Sequence, residues 1–263
     1  MDSAALIPAL VEHVRQSTRS LTPSELIGFL SERHGLTRRG ARLLLSESIA
    51  LNKLAYRQVL GRTVVVESLN CYYELAPGVT LTPPHLPVRE QDPVSIVLGE
   101  SISFGNGTHP TTRMCARLLM EVFSHTPLAG ASLDLGSGTG VLGLLALKLG
   151  ADFVDATEID PIAMHDAKTN ARENSFQDRF RMVHADDFSS DSPYSLVMAN
   201  LRTPTLISLR ESVSTWSLSS SDLIFSGIQK GEEDHLLEVY GSEFALQSMI
   251  CEKNWVGLHL KKK

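Results

Sequence analysis

The segment LDLGSGTG, Leu133 to Gly140, decides how this chain is read. A short apolar strand runs into a loop whose glycines are Gly136, Gly138 and Gly140, and a helix-like apolar run follows. Glycine lets backbone approach a ligand closely, and the unpaired N–H groups at the start of the next helix favour a carboxylate or phosphate. About twenty residues on, the run DFVDATEIDP is a second strand ending at Glu158, where an acid in this topology accepts hydrogen bonds from ribose hydroxyls. Two other nucleotide-binding loops fail on spacing. The dinucleotide fingerprint asks for glycine three residues after its second glycine, and that position is Val141. A phosphate-cradling P-loop ends in Gly-Lys-Ser/Thr, which this loop lacks.

Outward from the loop, the pattern alternates. Helices are expected near Leu142–Leu149 and Ile162–Asn174, and strands at RFRMVHADDF and YSLVMANL. Such alternation implies a parallel sheet covered on both faces. The tail departs from it: FALQSMICE and WVGLHLK are two β-like runs joined by a tight turn at Lys253 and Asn254. With no room for a crossover helix, they must pair antiparallel at the sheet edge. Upstream, Pro77, Pro83, Pro84, Pro87 and Pro93 rule out a long helix. Residues 71–103 therefore read as an extended connector with short strands, VSIVL among them, leading to a sheet domain over residues 104–263.

Residues 1–70 read differently. Leu6, Ile7, Leu10, Val11 and Val14 recur at helical spacing. In LTPSELIGFL, Thr22 can cap a second helix, with Pro23 in its first turn and Glu25 returning a bond to the cap. A third helix starts at LTRRGARLLL, with Thr37 as cap and Arg38, Arg39 and Arg42 on its early turns. LAYRQVLGRTVVVES then gives two β-prone runs about Gly61. Three helices followed by a hairpin is the winged-helix pattern, in which the third helix would be the nucleic-acid reader. The arginines equally suit a solvated face or a protein-binding module. The first 70 residues carry nine Lys and Arg against six Asp and Glu, a net +3, and the remainder −9. So small a basic excess does not favour nucleic acid as the partner.

Composition excludes other classes. The 263 residues are 43% hydrophobic, enough for a large α/β domain with a small companion. No apolar run approaches the roughly 18–20 uncharged residues of a membrane span. The N-terminal run MDSAALIPALVEHVRQ carries acids inside its apolar pattern, unlike a signal peptide, so a cytoplasmic protein is expected. Cys71, Cys115 and Cys251 are odd in number and far apart, and the nine histidines show no paired ligand spacing. Disulfide and metal chemistry are not expected.

Ligands of such sheets lie across the carboxyl ends of the strands. HADDF follows the third strand, and Asp186 is placed to accept a bond from an exocyclic adenine amino group. A nucleoside with a negatively charged tail fits: adenine at Asp186, ribose at Glu158, and a carboxylate at Gly136, Gly138 and Gly140. S-adenosyl-L-methionine is such a molecule.

The arrangement resembles class I S-adenosylmethionine-dependent methyltransferases, whose seven-stranded, mostly parallel Rossmann-like sheet has an antiparallel last strand. The runs SFGNGTHPTT, LDLGSGTGVLGLLALKLGA, EIDPIAM and ANL, in that order, narrow the resemblance to the bacterial family that modifies large-subunit ribosomal protein L-eleven. The match covers roughly Val94 to Lys263. It implies that Thr112, Gly136, Glu158 and Asn200 contact the cofactor. The FGNGTHPTT segment would then fold over the methionine end, with Phe104 and Gly105 covering it. His109, preceding Pro110 at a helix start, reads as a cap or packing residue. The chain departs from the family in two places: it has a winged-helix pattern where the family has a small α/β recognition domain, and Glu158 where Asp is common.

Asn200 follows the fourth strand of the sheet, beside the expected methyl group. Related enzymes acting on flat nitrogens carry Asn/Asp-Pro-Pro-Tyr/Phe here, whereas Asn200 is followed by Leu201 and Arg202, with no stacking ring. That argues against base methylation and leaves an amine acceptor, in a protein lysine or N-terminus. The reaction expected is in-line displacement of a methyl group from a sulfonium, with the Asn200 side-chain oxygen orienting the amine and no evident general base. A small-molecule methyltransferase with a winged-helix dimerisation domain, and a cofactor-sensing DNA-binding regulator, stand as alternatives.

Overall fold

A computed structural model describes residues 3–59, 61–99, 105–124, 127–190 and 192–263. The chain divides into two compact units, Met1–Tyr72 and Tyr73–Lys263.

The first unit holds α1 (Ser3–Gln16), α2 (Pro23–His34), α3 (Arg38–Ala50), β1 (Leu54–Val59) and β2 (Arg62–Glu67). Its local starts follow from side-chain chemistry. The Thr22 hydroxyl accepts from Glu25 N while Glu25 Oε2 accepts from Thr22 N at 2.8 Å, closing a capping box. Thr37 Oγ1 accepts from Gly40 N at 3.1 Å and starts α3. The strands β1 and β2 pair antiparallel, and an isolated bridge joins Leu21 to Val65. Leu10, Leu26, Leu30, Ala41, Leu44 and Leu54 fill the core between them.

The second unit opens with β3 (Tyr73–Ala76), β4 (Val79–Thr82) and β5 (Val94–Val97). The stretch expected as an extended connector is therefore a three-stranded sheet from Tyr73 onward: β3 and β4 antiparallel, β4 and β5 parallel. The prolines fall outside these strands, so they block a helix without blocking the ladder. Two side chains of α6 (Pro161–Glu173) and its C-cap fix β5 in place. Asn174 Oδ1 accepts from Val97 N at 2.9 Å and its Nδ2 donates to Val97 O at 2.7 Å, while Asn170 Oδ1 accepts from Gly99 N at 3.2 Å.

The main body continues with α4 (Pro110–Phe123), β6 (Ala131–Leu135), α5 (Val141–Lys148), β7 (Phe153–Glu158), then α6 and β8 (Phe180–His184). It ends with β9 (Tyr194–Asn200), α7 (Thr203–Ser208), α8 (Arg210–Trp216), β10 (Ser217–Gln229), α9 (Glu233–Tyr240), β11 (Phe244–Glu252) and β12 (Trp255–Lys262). Seven strands form one sheet in the order β11-β12-β10-β9-β6-β7-β8. All its ladders are parallel except those of β12, which is antiparallel to both β10 and β11. The expected terminal hairpin is thus present, and its last strand is inserted next to β10. Leu133, Val197, Phe225, Leu236, Tyr240 and Leu258 are among the buried side chains joining the sheet to the helices α7 to α9. Among the described residues, no helix is long and apolar enough to cross a membrane.

Candidate active site

The parallel strands β6 to β10 end at one edge of the sheet, and a cavity of about 530 Å³ opens along it. Its lining follows strand order. Ala185 comes after β8, Thr157 and Glu158 end β7, Leu135 and Gly136 mark the end of β6, Asn200 ends β9, Gly227 lies near the end of β10, and Trp255 begins β12. Because β12 runs antiparallel, its first residue rather than its last reaches this edge.

Local constraints shape the glycine loop. Gly136 has φ +67°, and a Cβ there would lie 2.4 Å from Leu201 Cδ2, so no other residue fits without displacing that side chain. Gly138 N donates to Glu158 Oε2 at 2.9 Å, and Glu158 Oε1 accepts from Ile159 N at 2.7 Å and Asp160 N at 3.1 Å. Glu158 thereby braces the loop against β7, and its Oε2 still has capacity to accept from a hydroxyl.

Beneath the loop, Asp134 Oδ2 accepts from Ser137 Oγ at 2.8 Å and from Gly143 N at 3.0 Å. Burial pushes its carboxyl up to about 6, against the pull of those two bonds. An acid raised in the folded state contributes stability that is present below the unfolded value and lost as pH rises through the folded one. Wild type is therefore expected to gain about 2.5 kcal/mol on Asp134→Asn as pH falls from neutrality to about pH 4. Urea unfolding of both proteins across that range measures it, and parallel curves would rule out this titration.

The segment before α4 is tied to the loop and to its own helix. Thr139 Oγ1 donates to Gly105 O at 2.8 Å. His109 is the N-cap of α4: its Nδ1 accepts from Thr111 N at 3.4 Å and lies 2.7 Å from Thr111 Oγ1. With Nδ1 used as an acceptor, the neutral ring carries its proton on Nε2. Burial lowers the His109 pKa, and the nearby Arg113 and Lys253 charges act in the same direction. Its ring meets that of Trp255 edge-on at 5.2 Å. The expected capping and packing role is what the geometry shows. Arg113, 3% exposed, holds the segment from below: Nε donates to Glu252 Oε1 at 3.0 Å, Nη1 to Tyr73 Oη at 3.1 Å and to Thr108 O, and Nη2 to Glu252 Oε1.

Asn200 occupies the middle of the cavity. Its Nδ2 donates to Thr112 Oγ1 at 3.3 Å, while its Oδ1 is buried and has no hydrogen-bond partner among the described residues. A buried acceptor left unmet costs about 1–3 kcal/mol, so this atom marks where a ligand donor is accommodated.

Of the residues expected at the site, Gly136, Gly138, Glu158 and Asn200 line the cavity, and Thr112 reaches it through Asn200. Gly105 joins the loop through Thr139. Gly140 caps α5 in a left-handed conformation, and a Cβ there would meet Ala167 and Phe180 at 3.2 Å, so it serves helix packing. Ala185 lines the cavity, while the Asp186 side chain beside it is 87% exposed. Phe104 lies outside the described residues. Several lining residues lacked a sequence signal. The expectation of no stacking ring near Asn200 holds only for its own loop, because Trp255 comes from β12, and Phe188 and Trp216 line the same cavity. Gly227 has φ +85°, and a Cβ there would sit 2.3 Å from Leu201 O, a backbone clash that local sequence cannot disclose.

These features can hold an adenosyl ligand along β6, β7 and β8 and a second reactant along β9, β10 and β12. Among the described residues no cluster suited to a metal ion occurs. The family profile "Ribosomal protein L11 methyltransferase (PrmA)" matches residues 74–263. The chain belongs to the ribosomal protein L11 methyltransferase family. The ribosomal protein L11 methyltransferase of Alteromonas mediterranea is 32% identical over 177 residues, 67% of this chain and 59% of the relative. That of Hahella chejuensis is 34% identical over 169 residues, 63% of this chain and 56% of the relative. The chain thus spans less than two thirds of the length of these ribosomal protein L11 methyltransferases. A crystal structure of ribosomal protein L11 methylase from Lactobacillus delbrueckii subsp. bulgaricus superposes with a TM-score of 0.64 at 26% identity, covering 73% of this chain and 98% of that one. The family match begins at residue 74, so the first unit lies outside it.

Proposed function

We propose that this protein is an S-adenosylmethionine-dependent methyltransferase that N-methylates a protein amine, a lysine or an N-terminus, of a ribosomal protein. The observation that carries the reading is Asn200: a buried amide oxygen without a partner, at the centre of a cavity that the glycine loop and Glu158 bound on one side. The donor set fits the cofactor. Glu158 would accept the ribose hydroxyls, Gly136 and Gly138 would admit the amino-acid end close to backbone, and Asp186, next to Ala185, would accept from the adenine amino group. Phe104, Gly105 and Thr112 would cover the methionine end, with Gly140 at the start of the helix that follows the loop. S-adenosylmethionine, when bound, supplies an activated methyl group. The chain's own task is to align the acceptor, exclude water and fix the amine, for which Asn200 is the catalytic residue.

The first unit reads as a winged-helix-like module: three helices, a hairpin, and the Leu21–Val65 bridge as the short additional strand. Exposed Leu43 and Tyr56 on α3 and β1 suit recognition of the protein substrate better than the small basic excess suits nucleic acid. A ribosomal acceptor implies the cytoplasm as the place of action.

Tritiated S-adenosylmethionine incubated with purified ribosomal protein L11 tests the reading, and label is expected in that protein. Calorimetric binding of S-adenosylhomocysteine without any transfer to L11 would move the substrate elsewhere. Glu158→Ala is expected to weaken S-adenosylhomocysteine by about tenfold or more, the worth of a charged hydrogen bond, by the same calorimetry; unchanged affinity would remove Glu158 from the cofactor site.

A further inference from the structure

The cavity extends past Asn200 on the side away from Glu158, and that end is built from unlike parts. Arg202 follows Asn200 by two residues, and its guanidinium carbon stands 5.2 Å from the centroid of the Trp255 ring, a cation–π contact. Gly227 of β10 and His109 of α4 complete the wall. The order of strands separates the two ends: Glu158 closes β7, and β6, β9 and β10 stand between it and Trp255 of β12. Among the described lining residues Glu158 is the only carboxylate.

We infer that the β10–β12 end of the cavity receives the methyl acceptor as a neutral alkyl amine, with Arg202 and Trp255 selecting it against the ammonium form. This rests on the methyltransferase reading for the direction of the cavity. The selection is electrostatic. Arginine stays charged at every working pH, so an ammonium entering here meets a fixed positive charge and no carboxylate to pair with. An unpaired cation held against aromatic and aliphatic walls is disfavoured, and a nearby like charge shifts an amine towards its free base. The free base has what the site offers a partner for: an amine N–H can donate to Asn200 Oδ1 and leave the nitrogen lone pair unencumbered. The alkyl stem would lie along Trp255 and Leu201, both lining residues. The proton is left with solvent before entry, so the chain needs no general base at this end, and His109, its Nδ1 already accepting from Thr111, is not placed to act as one.

The surrounding charges are few. On α4, Arg113 is paired with Glu252, and with Lys253 it acts on His109 in the same positive sense. Glu232, before α9, lies near Arg202 and offsets part of its charge, and its Oε2 accepts from Thr203 Oγ1 at 2.6 Å and Gln229 N at 3.0 Å; it does not line the cavity, so it offers an ammonium there no partner. Arg202 is exposed, so it can be replaced without opening the core.

The test uses n-hexylamine as the probe and tryptophan fluorescence as the readout, in a Trp216→Phe background where Trp255 is the remaining indole. S-adenosylhomocysteine is held saturating, because it lacks the sulfonium charge and isolates the contribution of Arg202. Hexylamine affinity should rise about tenfold per pH unit below the amine pKa of about 10, as the free base accumulates. Arg202→Gln should flatten this dependence and bind the probe at least about threefold tighter at pH 8, where the ammonium form dominates. Arg202→Lys, which keeps the charge, should behave as wild type. Affinity independent of pH, or identical curves for Arg202→Gln and wild type, would overturn the selection. Absence of any hexylamine response would overturn the placement of the acceptor end. Failure of wild type to take up S-adenosylhomocysteine would instead overturn the cofactor reading, and the amine titration, which needs only the cavity, would still decide the acceptor end.

Discussion

Asn200→Ala is expected to lower the rate of methyl transfer by about a hundredfold or more while leaving S-adenosylhomocysteine affinity within a few fold, because loss of positioning alone has effects of that size. The side chain donates to Thr112 and leaves Oδ1 for a ligand. Truncation removes both contacts and leaves the Thr112 hydroxyl without its donor. The loop itself should persist, since Leu201 N donates to Ser226 O at 3.0 Å through backbone alone. Single-turnover transfer and calorimetry on the same preparation separate the two effects. Full activity in the variant would remove Asn200 from the reaction, and loss of S-adenosylhomocysteine binding would recast it as a cofactor ligand.

The second large effect is on stability. Arg113→Ala is expected to cost about 3–5 kcal/mol, the range for removing one partner of a buried ion pair. Arg113 is 3% exposed and its guanidinium unites Tyr73 of β3, Thr108 before α4 and Glu252 at the end of β11. Without it, the Glu252 carboxylate keeps, among the described residues, only the longer contact to Arg117, 3.3 Å. The double variant Arg113→Ala, Glu252→Gln should recover part of the loss, because the stranded charge is gone. Urea unfolding monitored by tryptophan fluorescence measures all three proteins. A cost below about 1 kcal/mol for the single variant would place this pair with exposed salt bridges, which contribute little.

What could be read from the sequence divides along physical lines. The strand, glycine loop and acid at 133–158 were legible because each depends on neighbours within a few residues: a left-handed glycine, an unpaired helix start, a strand end. The Thr22 capping box and the Thr37 cap were legible for the same reason. The alternation of strands and helices predicted the parallel sheet, and the lack of room for a crossover predicted the antiparallel tail. Short strands within 71–103, VSIVL among them, were legible, but their pairing into a three-stranded sheet was not, because proline reports where helices stop and says nothing of pairing partners. Trp255, Gly227 and Asn170 were missed because their roles depend on residues far away in the chain. Gly227 is required by a carbonyl at Leu201, and Asn170 by Gly99 N and by Thr139 O, to which its Nδ2 donates at 2.9 Å. Asp186, expected at the adenine end, lies on the short 3-10 turn at 185–187, where its neighbour Ala185 lines the cavity and its own side chain is 87% exposed.

The inserted strand β12 has a consequence for partly folded forms of this protein. It is held by β10 on one side and β11 on the other, so a fluctuation that peels the carboxy-terminal hairpin away removes the indole wall and leaves the glycine loop, Glu158 and Asn200 on their own strands. Such a species would retain nucleoside while having nowhere to seat an amine. Integrity of the final ribbon, rather than of the nucleotide cradle, would then set the fraction of molecules competent to turn over.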